Sequence, residues 1–241
     1  MNLPNRIPFR RGAICGNRLI MIGPMVDGGT HDGQLSELVQ QAVGGDDQAW
    51  QRLMTDHWPR LRRMVALRMD PRLQGRIDPS DVVQESYIDA ARRLREYAKN
   101  PTMPFFVWLR WLAGQRLMEQ HRRHLGAQAR DVSREVSLYH GAFPEATAAD
   151  VAANVLAEFS TPSQAVIRVE QIKRLQEALE SLEPIDREIL ILRHFEQLSN
   201  GEAAQVLDLD KSTASKRYTR ALVRLKSVLT AMPGGSEDLA L

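Results

Sequence analysis

The stretch SNGEAAQVLDLDKSTASKRYTRALVRLK, residues 199–226, decides the fold. Ser199 and Glu202 have capping-box spacing: the serine side chain accepts from the glutamate amide, and the glutamate side chain reaches back to the serine N–H. The helix they start buries Ala203, Ala204 and Leu207. Asp208-Leu209-Asp210 then makes a tight turn, and Asp210 is placed to cap a second helix with Ala214, Tyr218, Ala221, Leu222 and Leu225 on one face. Between Lys211 and Lys226 stand Lys211, Lys216, Arg217, Arg220, Arg224 and Lys226, with no acidic residue. A short helix, a tight turn and a helix basic on its exposed side form a helix-turn-helix, whose second helix enters the major groove of DNA. Ser212, Thr213, Lys216 and Arg217, near its N-terminus, are predicted to reach base edges. Arg220 and Arg224, further along, suit phosphates. A basic run alone is more often a solvated face; the capping box, the turn and the alanines in register favour DNA.

Working upstream, Pro184 opens a helix carrying Ile185, Ile189, Leu190, Leu192 and Phe195. Before it, Val166, Val169, Ile172, Leu175, Leu179 and Leu182 form a helical stripe that restarts after Thr161-Pro162. The helix-turn-helix helices are both read as short, and Pro233-Gly234-Gly235 begins a tail. From Gly126 to Ser160 apolar spacing is irregular, with a weak helix near Ala148 to Phe159, as expected of a flexible linker.

The region before the linker is also helical. Leu35, Leu38, Val39, Ala42 and Val43 lie at helical spacing up to Gly44-Gly45, and Asp46 or Asp47 caps a helix burying Ala49, Trp50, Leu53 and Met54. A separate basic helix is predicted around Leu61 to Met69. Asp78-Pro79 starts another, with Val82, Val83, Ile88, Ala91 and Leu94 as its apolar stripe. Asn100 to Pro104 reads as a loop, and Phe105 to about Leu125 as a long helix in which Arg110, Arg116, Arg122 and Arg123 supply positive charge against the single acid Glu119.

No period-two alternation argues for strands, so the chain is expected to be all-α, with two small helical domains joined by a flexible linker. The expected units are a flexible extension over 1–33, a first domain over 34–126, the linker over 127–160, a helix-turn-helix domain over 161–232 and a tail over 233–241. Thirty-two Lys and Arg against thirty Asp and Glu leave a net charge of +2, so clustering rather than total charge points to nucleic acid. A single cysteine, Cys15, excludes an internal disulfide and a Cys-rich zinc site. The six histidines are scattered, and no nucleophile elbow, carboxylate pair or phosphate loop stands out. The expectation is a cytoplasmic protein with no membrane insertion, no cofactor, no bound metal and no enzymatic activity.

These segments together resemble a known family. LEPIDREILILRHFEQLSNGEAAQVLDLDKSTASKRYTRALVRLKSVL, residues 182–229, resembles the C-terminal domain of sigma-70 family RNA polymerase sigma factors, in their short extracytoplasmic-function branch. The likeness runs through Arg187-Glu188, Leu192-Arg193, Leu198-Ser199, Glu202, Ala204, Leu207, Thr213, Arg217, Arg220-Ala221 and Leu225. Asn200-Gly201 departs from the family's usual pair there. DPSDVVQESYIDAARRL, residues 78–94, resembles the segment that docks on the coiled coil of the largest polymerase subunit. FFVWLRWLAGQRLMEQHRRHL, residues 105–125, resembles the segment that recognises and melts the minus-10 element.

The resemblance implies that the second domain reads the minus-35 element through Ser212, Thr213, Lys216, Arg217, Arg220 and Arg224. It implies polymerase binding by Asp78, Asp81, Gln84, Glu85 and Ile88, of which Asp81, Gln84, Glu85 and Ile88 share one face. It assigns minus-10 recognition and melting to Asn100, Trp111, Gln115, Arg116, Glu119, Arg122 and Arg123. Phe105, Trp108, Leu109 and Leu112 are assigned to core. The implied partners are core RNA polymerase, through its largest-subunit coiled coil and flap, promoter DNA, and an anti-sigma factor as a candidate regulator. The competing expectation is a dimeric helix-turn-helix regulator that binds palindromic operators outside the holoenzyme.

Overall fold

The computed structural model describes residues 31–125, 146, 148, 149, 151, 152 and 165–231. The extension before residue 31, Cys15, most of the linker and the tail lie outside the described residues. Eight α-helices are described: α1 (His31–Val43), α2 (Asp47–Arg68), α3 (Pro79–Lys99), α4 (Phe105–Leu125), α5 (Ala165–Glu180), α6 (Pro184–Leu190), α7 (Asn200–Val206) and α8 (Lys211–Ala231). A π-helical turn, Ile191–Phe195, continues α6. The described residues contain no strand, as expected.

In the first group, α1 packs on α2, and α2, α3 and α4 pack on one another. Gly45, at φ 97°, turns the chain out of α1. Asp46 caps α2, accepting from the Gln48 and Ala49 amides at 2.8 and 3.1 Å. Here the structure corrects the expected break before Leu61: α2 runs unbroken through Pro59. A mid-helix proline costs about 3 kcal/mol through its missing N–H and its ring clash. Leu53, Leu61, Met64 and Val65, each at most 1% exposed on either side of Pro59, offset that cost by burial. Asp78 caps α3 with Pro79 at its first position. Tyr97 stacks on Trp108 at 4.6 Å and donates to the Met103 carbonyl at 2.8 Å, which fixes the loop between α3 and α4.

In the second group, α8 packs on α5, α6 and α7. Ala203, Ala204, Ala214 and Ala221 are buried at these crossings, where small side chains let the helices approach. The last helix is 21 residues long rather than short.

The two groups are not separated. One buried cluster contains Leu61 and Leu109 of the first, Ile189 and Leu192 of the second, and Ala146, Ala148 and Val151 of the expected linker. Three residues of the expected linker, Ala146, Ala148 and Val151, thus pack in the core.

Candidate DNA-binding and partner surfaces

The helix-turn-helix forms as its sequence predicts. The Ser199 Oγ accepts from the Glu202 amide at 3.2 Å, while Glu202 accepts from the Ser199 amide at 2.7 Å. Asp208 takes φ 53° in the turn. Asp210 caps α8, accepting from the Thr213 amide at 2.9 Å and its hydroxyl at 2.5 Å, and these bonds hold its carboxyl below the usual range. The departing pair Asn200-Gly201 has a structural use. Asn200 Nδ2 donates to the Lys211 carbonyl at 2.8 Å, and a Cβ at 201 would stand 3.2 Å from Lys211 Cε. The pair thus closes α7 onto the start of α8.

Of the predicted readers, Ser212, Lys216, Arg220 and Arg224 are exposed on α8. Thr213 is half-buried, its hydroxyl engaged by Asp210. Arg217 is also half-buried: Nη1 donates to Asp186 Oδ1 at 2.8 Å and lies 3.5 Å from Glu183. Its pKa is raised, first by the Asp186 hydrogen bond. Asp186 of α6 and Glu183 just before it thus fix where this guanidinium sits, a link between distant positions that helical spacing does not reveal.

On α3, Asp78, Asp81, Gln84 and Ile88 are exposed, and Glu85 is half-buried beside Gln120 Nε2 at 3.4 Å. Ile88, 54% exposed, is an apolar side chain within an otherwise polar and acidic face. Val82, Val83 and Leu94 point the opposite way into the core, but Ile88 and Ala91, expected in the apolar stripe, do not join them.

The α4 residues divide. Asn100, Gln115, Arg122 and Arg123 are exposed, and Trp111, Arg116 and Glu119 are half-buried. Arg116 bonds Asp89 and, at 2.7 Å, Glu119, which also pairs with Arg123. Arg116 therefore ties α4 to α3, and part of the expected positive charge is neutralised locally. Phe105, Trp108, Leu109 and Leu112 are buried, as expected of core.

Arg110 is the clear correction. Expected among the cations of this helix, it is 3% exposed and turned inward to Glu196. Its Nε donates to Glu196 Oε2 at 2.5 Å, and Arg68 Nε donates to Glu196 Oε1 at 2.6 Å. Arg68 also pairs with Glu188. Arg60 donates to the Gln197 carbonyl at 2.8 Å, lies 3.5 Å from Glu202 and covers the Phe106 ring. Burial alone would raise the Glu196 pKa; Arg110 and Arg68 outweigh it and hold it at about 2. No sequence signal pairs these residues, since 86 and 128 positions separate Glu196 from Arg110 and Arg68.

Among the described residues, no group of His, Cys, Asp or Glu could hold a metal, and no helix is long and apolar enough to cross a membrane.

A family model described as "Sigma-70, region 4" matches residues 172–225, the span of the helix-turn-helix group. "ECF RNA polymerase sigma factor SigD" of Mycobacterium tuberculosis is 28% identical over 198 residues, covering 82% of this chain and 85% of the relative. "RNA polymerase sigma factor CnrH" of Cupriavidus metallidurans is 26% identical, covering 80% and 93%. Among solved structures, "Structure of CnrH in complex with the cytosolic domain of CnrY" is similar at a TM-score of 0.47 and 23% identity, covering 82% of this chain and 98% of that one. The helix-turn-helix group thus matches region 4 of the sigma-70 family, and over four-fifths of its length the chain is similar to RNA polymerase sigma factors of the extracytoplasmic-function branch.

Proposed function

We propose that this chain binds core RNA polymerase through α3, reads the minus-35 element through α8, and recognises and melts the minus-10 element through α4. At the level of the whole protein it is a sigma factor that directs polymerase to promoters. The carrying observation is the presence in one chain of two unlike solvent-facing surfaces: the basic start of a well-formed helix-turn-helix, and an acidic and polar helix face with Ile88 exposed in it.

Ser212 and Lys216 sit where base edges come within reach, and Arg220 and Arg224 supply phosphate contacts. Asp78, Asp81, Gln84, Glu85 and Ile88 form the polymerase face, where an exposed isoleucine ringed by polar groups suits a protein partner. On α4, Trp111 and Gln115 meet unstacked bases, and Asn100, from the preceding loop, lies beside a flipped base. Arg116 and Glu119 position the helix, and Arg122 and Arg123 attract the strand. The protein acts in the cytoplasm, where polymerase and promoter are, as a binding factor with no catalytic residue. An anti-sigma factor is a candidate partner on the family resemblance.

The split is tested by separate variants. Asp81→Ala with Gln84→Ala is expected to weaken core polymerase binding while leaving binding to minus-35 duplex unchanged. Arg220→Ala is expected to do the reverse. Simultaneous loss of both activities from a folded variant of either kind would contradict it.

A further inference from the structure

Gly201 stands in the first turn of α7, where a residue with a side chain would favour the helix more. Backbone conformation does not call for it, since the described glycines at positive φ are Gly45 and Gly75. A neighbouring side chain does. A Cβ at position 201 would stand 3.2 Å from Lys211 Cε, 3.7 Å from Lys211 Nζ and 4.0 Å from Ser199 Oγ. The lysine side chain therefore lies across the bare first turn of α7. Its main chain is held from the same place, with Asn200 Nδ2 donating to the Lys211 carbonyl at 2.8 Å. Both members of the Asn200-Gly201 pair act on one residue.

Lys211 is the first residue of α8 and the first cation of the run that ends at Lys226. It does not share the face of Ser212 and Lys216. Steps of three and four place it in line with Ala214, Tyr218 and Ala221, on the side where Ala214 and Ala221 are buried. A lysine on that side has to leave the core, and it does so over α7 while staying exposed. When a helix-turn-helix binds DNA, its second helix lies in the major groove and its first crosses the backbone. An ammonium carried by the second helix but laid on the first is therefore brought to the backbone and not to base edges. The group it meets there is a phosphate oxygen, which fixes position without reading sequence.

We propose that Lys211, seated by Asn200 and Gly201, is a phosphate contact that sets how the helix-turn-helix stands on the duplex. Gly201 is then a positioning residue, and its lack of a side chain makes the seat. The inference rests on the proposed reading of α8 as a duplex-binding helix. A lysine left loose at the start of α8 would carry the same charge, but would have more rotamer freedom to lose on binding.

The test titrates the full chain, at several salt concentrations, against a fluorescein-labelled duplex carrying a minus-35 element from a mapped start site. Lys211→Gln is expected to weaken binding about eightfold at ~0.1 M salt and to lower the slope of log K against log salt by about 0.9, equally for cognate and mismatched elements. Gly201→Leu fills the seat and keeps the charge. It should weaken binding several-fold while helix content and the urea midpoint hold or rise, since leucine favours a helix more than glycine does. Introduced beside Lys211→Gln, it should cost nothing further. If Gly201→Leu lowers the urea midpoint, Gly201→Ala carries the same cycle, with a smaller loss that again vanishes beside Lys211→Gln. A Lys211→Gln chain that matches the parent, a Gly201→Leu chain that binds like the parent, or a Gly201→Leu loss that persists beside Lys211→Gln would each overturn the seat alone. A parent that binds no duplex would overturn the DNA-binding reading, and the inference with it.

Discussion

Arg217 and Arg224 lie two turns apart on one helix, and the structure gives them different expected effects. Arg217 is fixed by Asp186 near the N-terminus of α8, whereas Arg224 is exposed beyond it. Arg217→Ala is expected to cost about 1–3 kcal/mol of discrimination between cognate and mismatched minus-35 duplexes. Arg224→Ala should weaken all duplexes alike and lower the slope of log K against log salt by about 1. Titrations at several salt concentrations separate the two effects. At His57 the prediction concerns pH. Burial, then Arg60, lowers its pKa to about 4 from 6.5, and its ring packs 5.5 Å from Phe105. The unfolded chain therefore binds this proton more readily than the folded one between pH 6.5 and 4. Stability should be flat above about pH 6.5 and fall through that window, by about 3 kcal/mol for this group. His57→Phe should flatten that part of the urea-denaturation profile; an unchanged slope would contradict the buried neutral imidazole.

At the scale of elements, the capping box of α7 and the proline within α2 make opposite predictions. Ser199→Ala removes the acceptor for the Glu202 amide and is expected to destabilise the second group by about 1 kcal/mol in urea denaturation. Pro59→Ala restores a backbone donor to α2 and should stabilise by about 1–2 kcal/mol, after allowing for the greater freedom it gives the unfolded chain. Both elements also show what was legible in the sequence. Capping signals are local, so the starts of α2, α3, α7 and α8 could be read from Asp46, Asp78, Ser199 and Asp210. A proline is a local signal as well, and it misleads: the predicted break near Leu61 fails because burial along both halves of α2 outweighs the local cost. Helix α8 is longer than expected for a related reason: it packs on α5 and α6 as well as α7, contacts that no local signal carries.

At the scale of the whole molecule, the legible part was each surface and the illegible part was the seam between them. Asp81 and Gln84 on one face, and Ser212 and Lys216 on another, follow from helical spacing, and the structure leaves all four exposed, whereas Ile88, also read into the apolar stripe, is exposed beside the first pair. Arg110 shows the limit of that reasoning. Its helix suggested a cation for DNA, yet a carboxylate 86 residues away draws it inside, and no periodicity encodes such a pairing. The near-zero net charge also belongs at this scale. The total of +2 conceals both the run of cations from Lys211 to Lys226 and the acids Asp78, Asp81 and Glu85. The most direct test of the central claim is in vitro transcription with core RNA polymerase on genomic fragments, with start sites mapped. A sigma factor gives discrete starts that require this chain and share minus-35 and minus-10 sequences at fixed spacing. Starts that do not depend on the chain, or its binding as a homodimer to palindromic sites without engaging core polymerase, would contradict the account.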